Sequence, residues 1–421
     1  MGAILTATGV PMGHFIAQAF ADKVGENGNS WEAWNATVNA PEKHLPHDLA
    51  SQIDATIAKA WKRLPIERRQ FLELLSRIDL TAEQAGFLAV PEVRSETGVQ
   101  VEDSAFRKNP YLIYDATRLT AIPVAIGTVD RGLFPTNFVR ERFPIPEPSN
   151  IKTAVDARRL RALVIRELEV AAQRGDTLCA QSDVITTLRS HDNETGEQKT
   201  EVTADLLAVV EDEHFSGEVR MIRMADQRLA YQLDRFGTAG ELIRSTVNKR
   251  IEGQRHELSV NWRAELDQRL EEDRLRKGLP KFSDPAELEK EERARQEKAA
   301  ALGEIAASRF SVLIGPAGTG KTTLLSVLCR RPEIHDDVIL LLAPTGKARV
   351  RMEDVARQSG TQNFQAQTLA QFLSRSGRYY GSTQRYRLTR QPGEKVARTV
   401  IVDECSMLTE EMMAALIEAL S

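Results

Sequence analysis

The chain has 421 residues, room for about three domains. Hydrophobic residues make up 42% and charged residues 28% of it, an ordinary globular composition that excludes a wholly disordered chain, a collagen-like repeat and a small disulfide scaffold. The net charge of −4 selects no partner, but it hides a basic stretch: residues 345–400 hold 11 basic residues against 3 acidic ones, and a polyanion is expected to bind there.

Cys179, Cys329 and Cys405 lie far apart and form no CxxC pair, which points to a reducing compartment. No apolar run approaches the roughly 20 residues of a bilayer span. The first residues lack a basic region and are broken by Gly9, Pro11 and Gly13, unlike a signal peptide; a cytoplasmic location is expected. Gly2 with Thr6 fits the N-myristoylation pattern loosely, without a polybasic patch to support it. His44, His47 and Asp48 are the only tight group of metal-type ligands, and their Pro-flanked setting reads as a solvated loop.

In chain order, residues 1–100 read as helical, with Leu64, Phe71, Leu72, Leu74 and Leu75 at helical spacing near Trp61. Thr81-Ala82-Glu83-Gln84 is a capping box. Pro110, Pro123, Gly127, Gly132 and Pro135 predict an irregular stretch over 115–150. A helix follows over about 154–174, with Leu160, Leu163, Ile165, Leu168 and Ala171 as its apolar stripe, Arg158, Arg159, Arg161 and Arg166 mostly off it, and Gly175 as its stop. Short helices are expected at 184–188 and 203–210. Val219–Met224 and Leu229–Leu233 alternate as two strands of a hairpin. A second capping box, Thr238 to Glu241, opens a helix to about Ile251. Residues 255–300 are dense in Glu, Arg and Lys and read as a solvated helical connector, in which Asp284 caps a helix that begins at Pro285.

From residue 309 the pattern changes. Phe310–Ile314 is a short apolar run of buried-strand type. It leads into Gly315-Pro316-Ala317-Gly318-Thr319-Gly320-Lys321-Thr322 and then a helix-forming run from Leu324 to Cys329. Strand, glycine-rich loop and helix are the setting in which a phosphate-binding loop works. The glycines let backbone N–H groups turn toward a phosphate chain, and the helix N-terminus adds positive potential. Lys321 can reach the outer phosphates, and the Thr322 hydroxyl can ligate Mg²⁺. ATP and Mg²⁺ are therefore the expected cofactors. Such a loop needs acids at the end of another buried strand, and Thr399–Val402 runs into Asp403-Glu404. Asp403 would hold Mg²⁺, usually through water, and Glu404 would orient and deprotonate the attacking water. Two carboxylates after an apolar strand would be costly in a core and suit a cleft at the carboxyl edge of a parallel sheet.

A third strand, Val338–Leu342, leads into Ala343-Pro344-Thr345-Gly346-Lys347-Ala348 at the same sheet edge. Basic residues interleaved with aromatics follow: Arg349, Arg351, Phe364, Thr368, Phe372, Arg375, Arg378, Tyr379, Tyr380, Arg385, Tyr386, Arg387 and Arg390. That mixture suits single-stranded nucleic acid, with cations tracking phosphates and rings stacking on bases. Phe364 and Phe372 read equally well as the core face of a helix over about 364–375. The piece 378–390 alternates like a hairpin.

IGPAGTGKTT, LLAPTGKARVRM, QTLAQFL and TVIVDECSML, in this order and spacing, resemble motifs I, Ia, Ib and II of superfamily 1 DNA helicases of the RecD-like branch. The resemblance covers about 290–421. It implies Gln296 as the residue that reads adenine, Gly315 to Thr323, including Thr323 after the phosphate loop, as nucleotide contacts, and Pro344, Thr345, Lys347, Arg349, Thr368, Arg385, Tyr386 and Arg387 as contacts to single-stranded DNA. Upstream, Leu80–Gln84, Lys108–Tyr111 and 157–177 resemble more faintly the N-terminal region of longer RecD-like proteins, although the GxG hairpin expected near Ile122–Gly127 is not found.

The fold class expected is multidomain: an α-rich N-terminal region, then an incomplete P-loop α/β (RecA-like) domain with a parallel sheet. The boundaries read as 1–150, 151–254 with its hairpin, the 255–300 connector, and 301–421. Family members continue beyond the position of Ser421 with a second RecA-like domain, so the resemblance implies an N-terminal part whose missing C-terminal domain is a partner. That domain would carry an arginine finger, and this chain alone would bind ATP poorly and turn it over negligibly. The function implied is an ATP-dependent DNA helicase or translocase. The alternative is a nucleotide-binding regulatory or scaffold ATPase that does not translocate, which has no need of a basic loop at Pro344–Lys347.

Overall fold

The computed structural model describes residues 1–25, 28–96, 99–145, 147–190, 201–278, 280, 284–316, 318–335, 338–361, 363–393 and 397–420. Packing divides the chain into two units, Met1–Asp234 and Arg235–Ser421. The boundaries expected at 150, 254 and 300 do not coincide with this division.

Among the described residues the first unit is helical apart from one small sheet. Trp61 stacks on Trp31 at 5.7 Å and meets Trp34 edge-on at 5.5 Å. The capping box forms as read, with Gln84 N–H donating to Thr81 Oγ1 and Thr81 N–H to Gln84 Oε1. The stretch 115–150 is not irregular: it holds helices Ile126–Leu133 and Asn137–Arg142. Ile126, Val129 and Leu133 are buried at helical spacing, and that burial outweighs the two glycines. Gly132 is a packing residue, since a Cβ there would sit 2.7 Å from the Arg77 carbonyl oxygen.

Helix α1 (Ala157–Gln173) runs through the middle of this unit, with Asp156 accepting from Arg158 N–H at its start. Its arginines are not all off the apolar stripe: Arg159 and Arg161 are buried. Carboxylates are buried with them. Arg159 forks onto Asp130, which also accepts from the Tyr111 hydroxyl at 2.6 Å. Arg161 pairs with Asp115, and Arg118 beside it pairs with Glu169 and Glu218. Burial pushes the Asp115 carboxyl up, and the two arginines only partly oppose that. Strands β1 (Cys179–Ala180), β2 (Val219–Arg223) and β3 (Leu229–Leu233) form an antiparallel sheet in the order β1-β3-β2, with Met221 opposite Tyr231. The hairpin was legible; the short β1 was not.

The helix Asp234–Ile251 runs unbroken past Thr238, which therefore lies inside it and not at its start. The connector read at 255–300 is part of the unit's core. Helices α2 (Trp262–Lys277) and α3 (Pro285–Ala307) bury Leu266, Leu302 and Ala306 against Leu324, Val327 and Leu328 of α4 (Lys321–Cys329). Asp284 accepts from Ala286 N–H, as the cap predicts. The charges flank a narrow apolar seam and pair with one another, Arg263 with Asp267 and Glu292, Arg330 with Glu272.

A parallel sheet follows. Strand β4 (Ile339–Ala343) is buried at every residue and lies between β5 (Phe364–Thr368) and β8 (Thr399–Val402). Helix α5 (Gly346–Gln358) covers one face with Ala348, Met352 and Ala356. Helices α6 (Leu369–Arg375) and α7 (Glu410–Ala419) cover the other with Leu369, Phe372, Leu373, Ala415 and Leu416. Phe364 is thus on a strand and Phe372 is core. A two-stranded ribbon, β6 (Tyr379–Tyr380) and β7 (Arg385–Tyr386), follows α6.

Breaking a buried ion pair on one side leaves the other charge uncompensated, at about 3–5 kcal/mol. Asp115→Ala should lower the stability of the first unit by about that amount, measured as a shift in its urea unfolding curve followed by tryptophan fluorescence. A loss below about 1 kcal/mol, the scale of an exposed pair, would show that Arg161 is stabilised by something other than Asp115.

Candidate functional site

The site residues leave the carboxyl edge of the parallel sheet. β4 ends at Ala343, and the chain turns through Pro344 into α5, where Thr345 caps the helix by accepting from Ala348 N–H at 3.2 Å. β5 ends on Thr368, which caps α6 in a reciprocal box with Gln371. β8 ends at Val402, and Asp403 N–H continues the ladder by donating to Leu342 O at 3.0 Å. Glu404 follows with φ 52°, a left-handed backbone that few non-glycine residues adopt. Its N–H donates to Asp403 Oδ1 at 2.9 Å, and its side chain is exposed.

The phosphate loop approaches this edge from α4. Gly318 and Gly320 have φ of 81° and 88°, a turn that a Cβ would strain. Lys321 Nζ donates to Gly315 O at 2.5 Å and to Pro316 O at 3.0 Å, and Thr319 Oγ1 donates to Pro316 O. Ala317 lies outside the described residues. Thr322 and Asp403 line one small cleft with Arg351, over a floor that includes Leu325, Leu341 and Cys329. Burial pushes the Cys329 thiol up to about 12, so it serves as apolar floor and not as a nucleophile. A hydroxyl and a carboxylate are hard oxygen donors and fit Mg²⁺; the lysine at the mouth of a glycine turn fits a phosphate chain.

The strand expected at Phe310–Ile314 is absent. Those residues are irregular, with Val312 59% and Ile314 88% exposed, and only Leu313 packs into the seam with Leu302 and Leu324. Among the described residues β8 pairs with β4 alone. Strand propensity is realised only where a neighbour supplies both a ladder and a packed face, and this run has neither. The strand expected there is therefore not formed, and β4 and β8 pair in parallel without it.

Gln296 is exposed on α3, and its amide donates to Glu292 Oε1 at 3.0 Å. The Arg263 guanidinium holds that carboxyl down to about 2. Thr323 follows Thr322 in the first turn of α4. Lys347 is exposed, whereas Arg349 is paired with Glu353 at 2.7 Å. In the ribbon Tyr379 faces Tyr386 with ring centres 4.8 Å apart, and both pack half-buried on the α6–α7 cluster. Arg385 is half-buried, and Arg387 lies 4.0 Å over the exposed ring of Tyr380. Arg378 is 3% exposed and bonds Glu418 at 2.6 Å. It is structural and does not belong with the basic surface. Lys298 escaped the sequence reading, and Arg351 was read there only as part of the basic stretch. Lys298 Nζ comes within 3.6 Å of the Cβ position of Gly320, and Arg351 reaches Thr322. No motif marks Lys298. Among the described residues His44, His47 and Asp48 do not come together as a ligand group, and His44 Nδ1 sits 3.3 Å from Lys23 Nζ.

Residues 296–421 match a family described as an AAA domain. The match begins at Gln296, inside α3, and so includes half of the helix read as connector. The match suggests a P-loop NTPase domain over 296–421. The chain is also similar to an uncharacterized protein of Methanocaldococcus jannaschii, MJ1519, at 26% identity over 186 residues, which are 42% of this chain and 15% of that relative. The chain therefore spans well under two thirds of that protein's length. No helix among the described residues is long and apolar enough to cross a membrane.

Glu418 fastens the ribbon to the domain. It accepts from Arg378, from Thr389 N–H and Oγ1, and from Arg390 N–H. Burial alone would raise its carboxyl, but these donors outweigh it and hold it below the usual range. A carboxyl depressed on folding stabilises above its unfolded value of about 4.3 and loses that contribution as pH falls through the folded value. Lowering the pH from 7 toward 3 should therefore weaken the second unit. Glu418→Gln should lower its stability by about 2 kcal/mol at pH 7 and flatten the pH dependence. Urea titrations at both pH values read this; coincident curves for the two proteins would refute the fastening role.

Proposed function

We propose that the chain binds ATP with Mg²⁺ at the 315–323 loop and works as an ATP-dependent DNA helicase or translocase of the RecD-like kind on single-stranded DNA. The observation that carries this reading is the one cleft lined by both Thr322 and Asp403, 81 positions apart in sequence. Lys321 and the loop amides hold the phosphates there, and Thr322 and Asp403 hold the metal, which when bound neutralises developing phosphate charge. Glu404, one residue beyond the ladder bond, orients and deprotonates the attacking water. Gln296 lies on the helix at which the family match begins and serves the base.

The DNA path runs along the same sheet edge. Pro344, Thr345 and Lys347 at the end of β4 and Thr368 at the end of β5 present helix N-termini and one free ammonium to phosphates. Arg385 and Arg387 continue the path on the ribbon, with Tyr380 and Tyr386 as ring faces and Arg349 as a paired neighbour. The Tyr380–Arg387 stack favours single strands, whose unstacked bases and phosphates it meets together.

The two sites are separable. Lys321→Ala should weaken binding of a fluorescent ATP analogue by at least tenfold and leave binding of a dT20 oligonucleotide within about twofold. Lys347→Ala with Arg387→Ala should do the reverse and reduce the slope of log affinity against log salt by about 2, one per lost phosphate contact. Nucleotide binding without any affinity for dT20 would replace this reading with that of a regulatory ATPase. Binding of neither would reject it.

A further inference from the structure

Helix α5 carries three arginines that do different things. Arg349 and Arg357 both pair with Glu353, at 2.7 and 2.5 Å. Arg351 lies between them in sequence and has no carboxylate within ion-pair distance among the described residues. Its Nη2 sits 3.5 Å from Thr322 Oγ1, and it lines the same cleft as Thr322 and Asp403. A guanidinium has five donors and no acceptor, so it approaches Thr322 as a donor, along an oxygen lone pair. A metal at Thr322 would use a lone pair of the same oxygen. The Asp403 carboxylate in the same cleft attracts either cation.

We propose that Arg351 is a built-in competitor for the metal position of this cleft, and that it sets how much Mg²⁺ the site needs to hold a nucleotide. The inference rests on the proposed ATP reading. Arg351 is exposed and Thr322 half-buried, yet two cations placed against the same hydroxyl repel at contact distance even where solvent reaches them, so Arg351 and Mg²⁺ do not share Thr322. With metal in place, Arg351 must turn outward. Without metal, its charge faces the phosphate chain and substitutes in part for the missing cation. Two opposite effects follow from one residue. Removing Arg351 makes metal-assisted binding easier to saturate and metal-free binding weaker.

The test is binding of a fluorescent ATP analogue to the whole 421-residue chain, titrated with MgCl₂ and repeated in EDTA. Arg351→Ala should lower the half-saturating Mg²⁺ concentration at least fivefold and weaken binding in EDTA at least fivefold. Arg351→Lys keeps a charge without the fork, and should recover most of the binding in EDTA. Urea midpoints equal to that of the unaltered chain establish that both variants fold, and the Lys variant carries the test if the Ala variant does not. If Mg²⁺ dependence and EDTA binding both stay within twofold while Lys321→Ala abolishes binding, the competitor role is wrong and the ATP site stands. If the unaltered chain binds no nucleotide, the ATP reading fails and this inference falls with it.

Discussion

The bond from Asp403 N–H to Leu342 O is the constraint on which the site depends. β4 is buried on both faces and hydrogen-bonded on both edges, so its register against β5 and β8 cannot slip without exposing its side chains. The ladder bond carries that fixed register one residue past β8. Asp403 is therefore placed by the core and not by a loop. The same edge releases Pro344–Lys347 after β4 and Thr368 after β5, each directly into a capped helix. Three chemically distinct segments are held by one strand.

A second support comes from the charged helices. α2 and α3 contribute few apolar side chains, yet Leu266, Leu302 and Ala306 are enough to seat α4 through Leu324, Val327 and Leu328. Their ion pairs are mostly exposed and individually worth little; the apolar seam does the holding. Because α4 begins at Lys321, that seam sets where the phosphate loop turns. Lys298, two residues after Gln296, brings a cation from the same helix to Gly320. The family match starting at Gln296 fits a domain that begins with this helix.

Much of this was legible in the sequence, for stated physical reasons. The phosphate loop, the β8 strand with its two acids and the Thr81 box are local patterns whose chemistry fixes their residue types. The Thr238 box failed because a helix fed directly from β3 leaves no end to cap. The 310–314 strand failed because an apolar run does not by itself supply a ladder partner. Arg159 and Arg161 were misplaced because burial of a charge depends on a distant carboxylate, Asp130 or Asp115, that periodicity cannot see. Arg378 was misread for the same reason, its partner Glu418 lying 40 residues on. Arg351 at Thr322 is a tertiary fact of the same kind.

α5 joins the two halves of the account. Its first turn carries Lys347 at the proposed DNA edge, and its next turn carries Arg351 at the proposed metal position. A helix is stiff over so short a distance, so a movement of α5 on binding at one site would reach the other. Coupling of this kind is reciprocal and commonly amounts to a factor of about 5–150. The most direct measurement is the affinity of the chain for dT20 with and without a saturating, slowly hydrolysed Mg²⁺–ATP analogue, paired with the affinity for that analogue with and without saturating dT20. The account predicts a change of at least fivefold, equal in size in both directions. Affinities that agree within twofold in both experiments, with each ligand binding on its own, would contradict it.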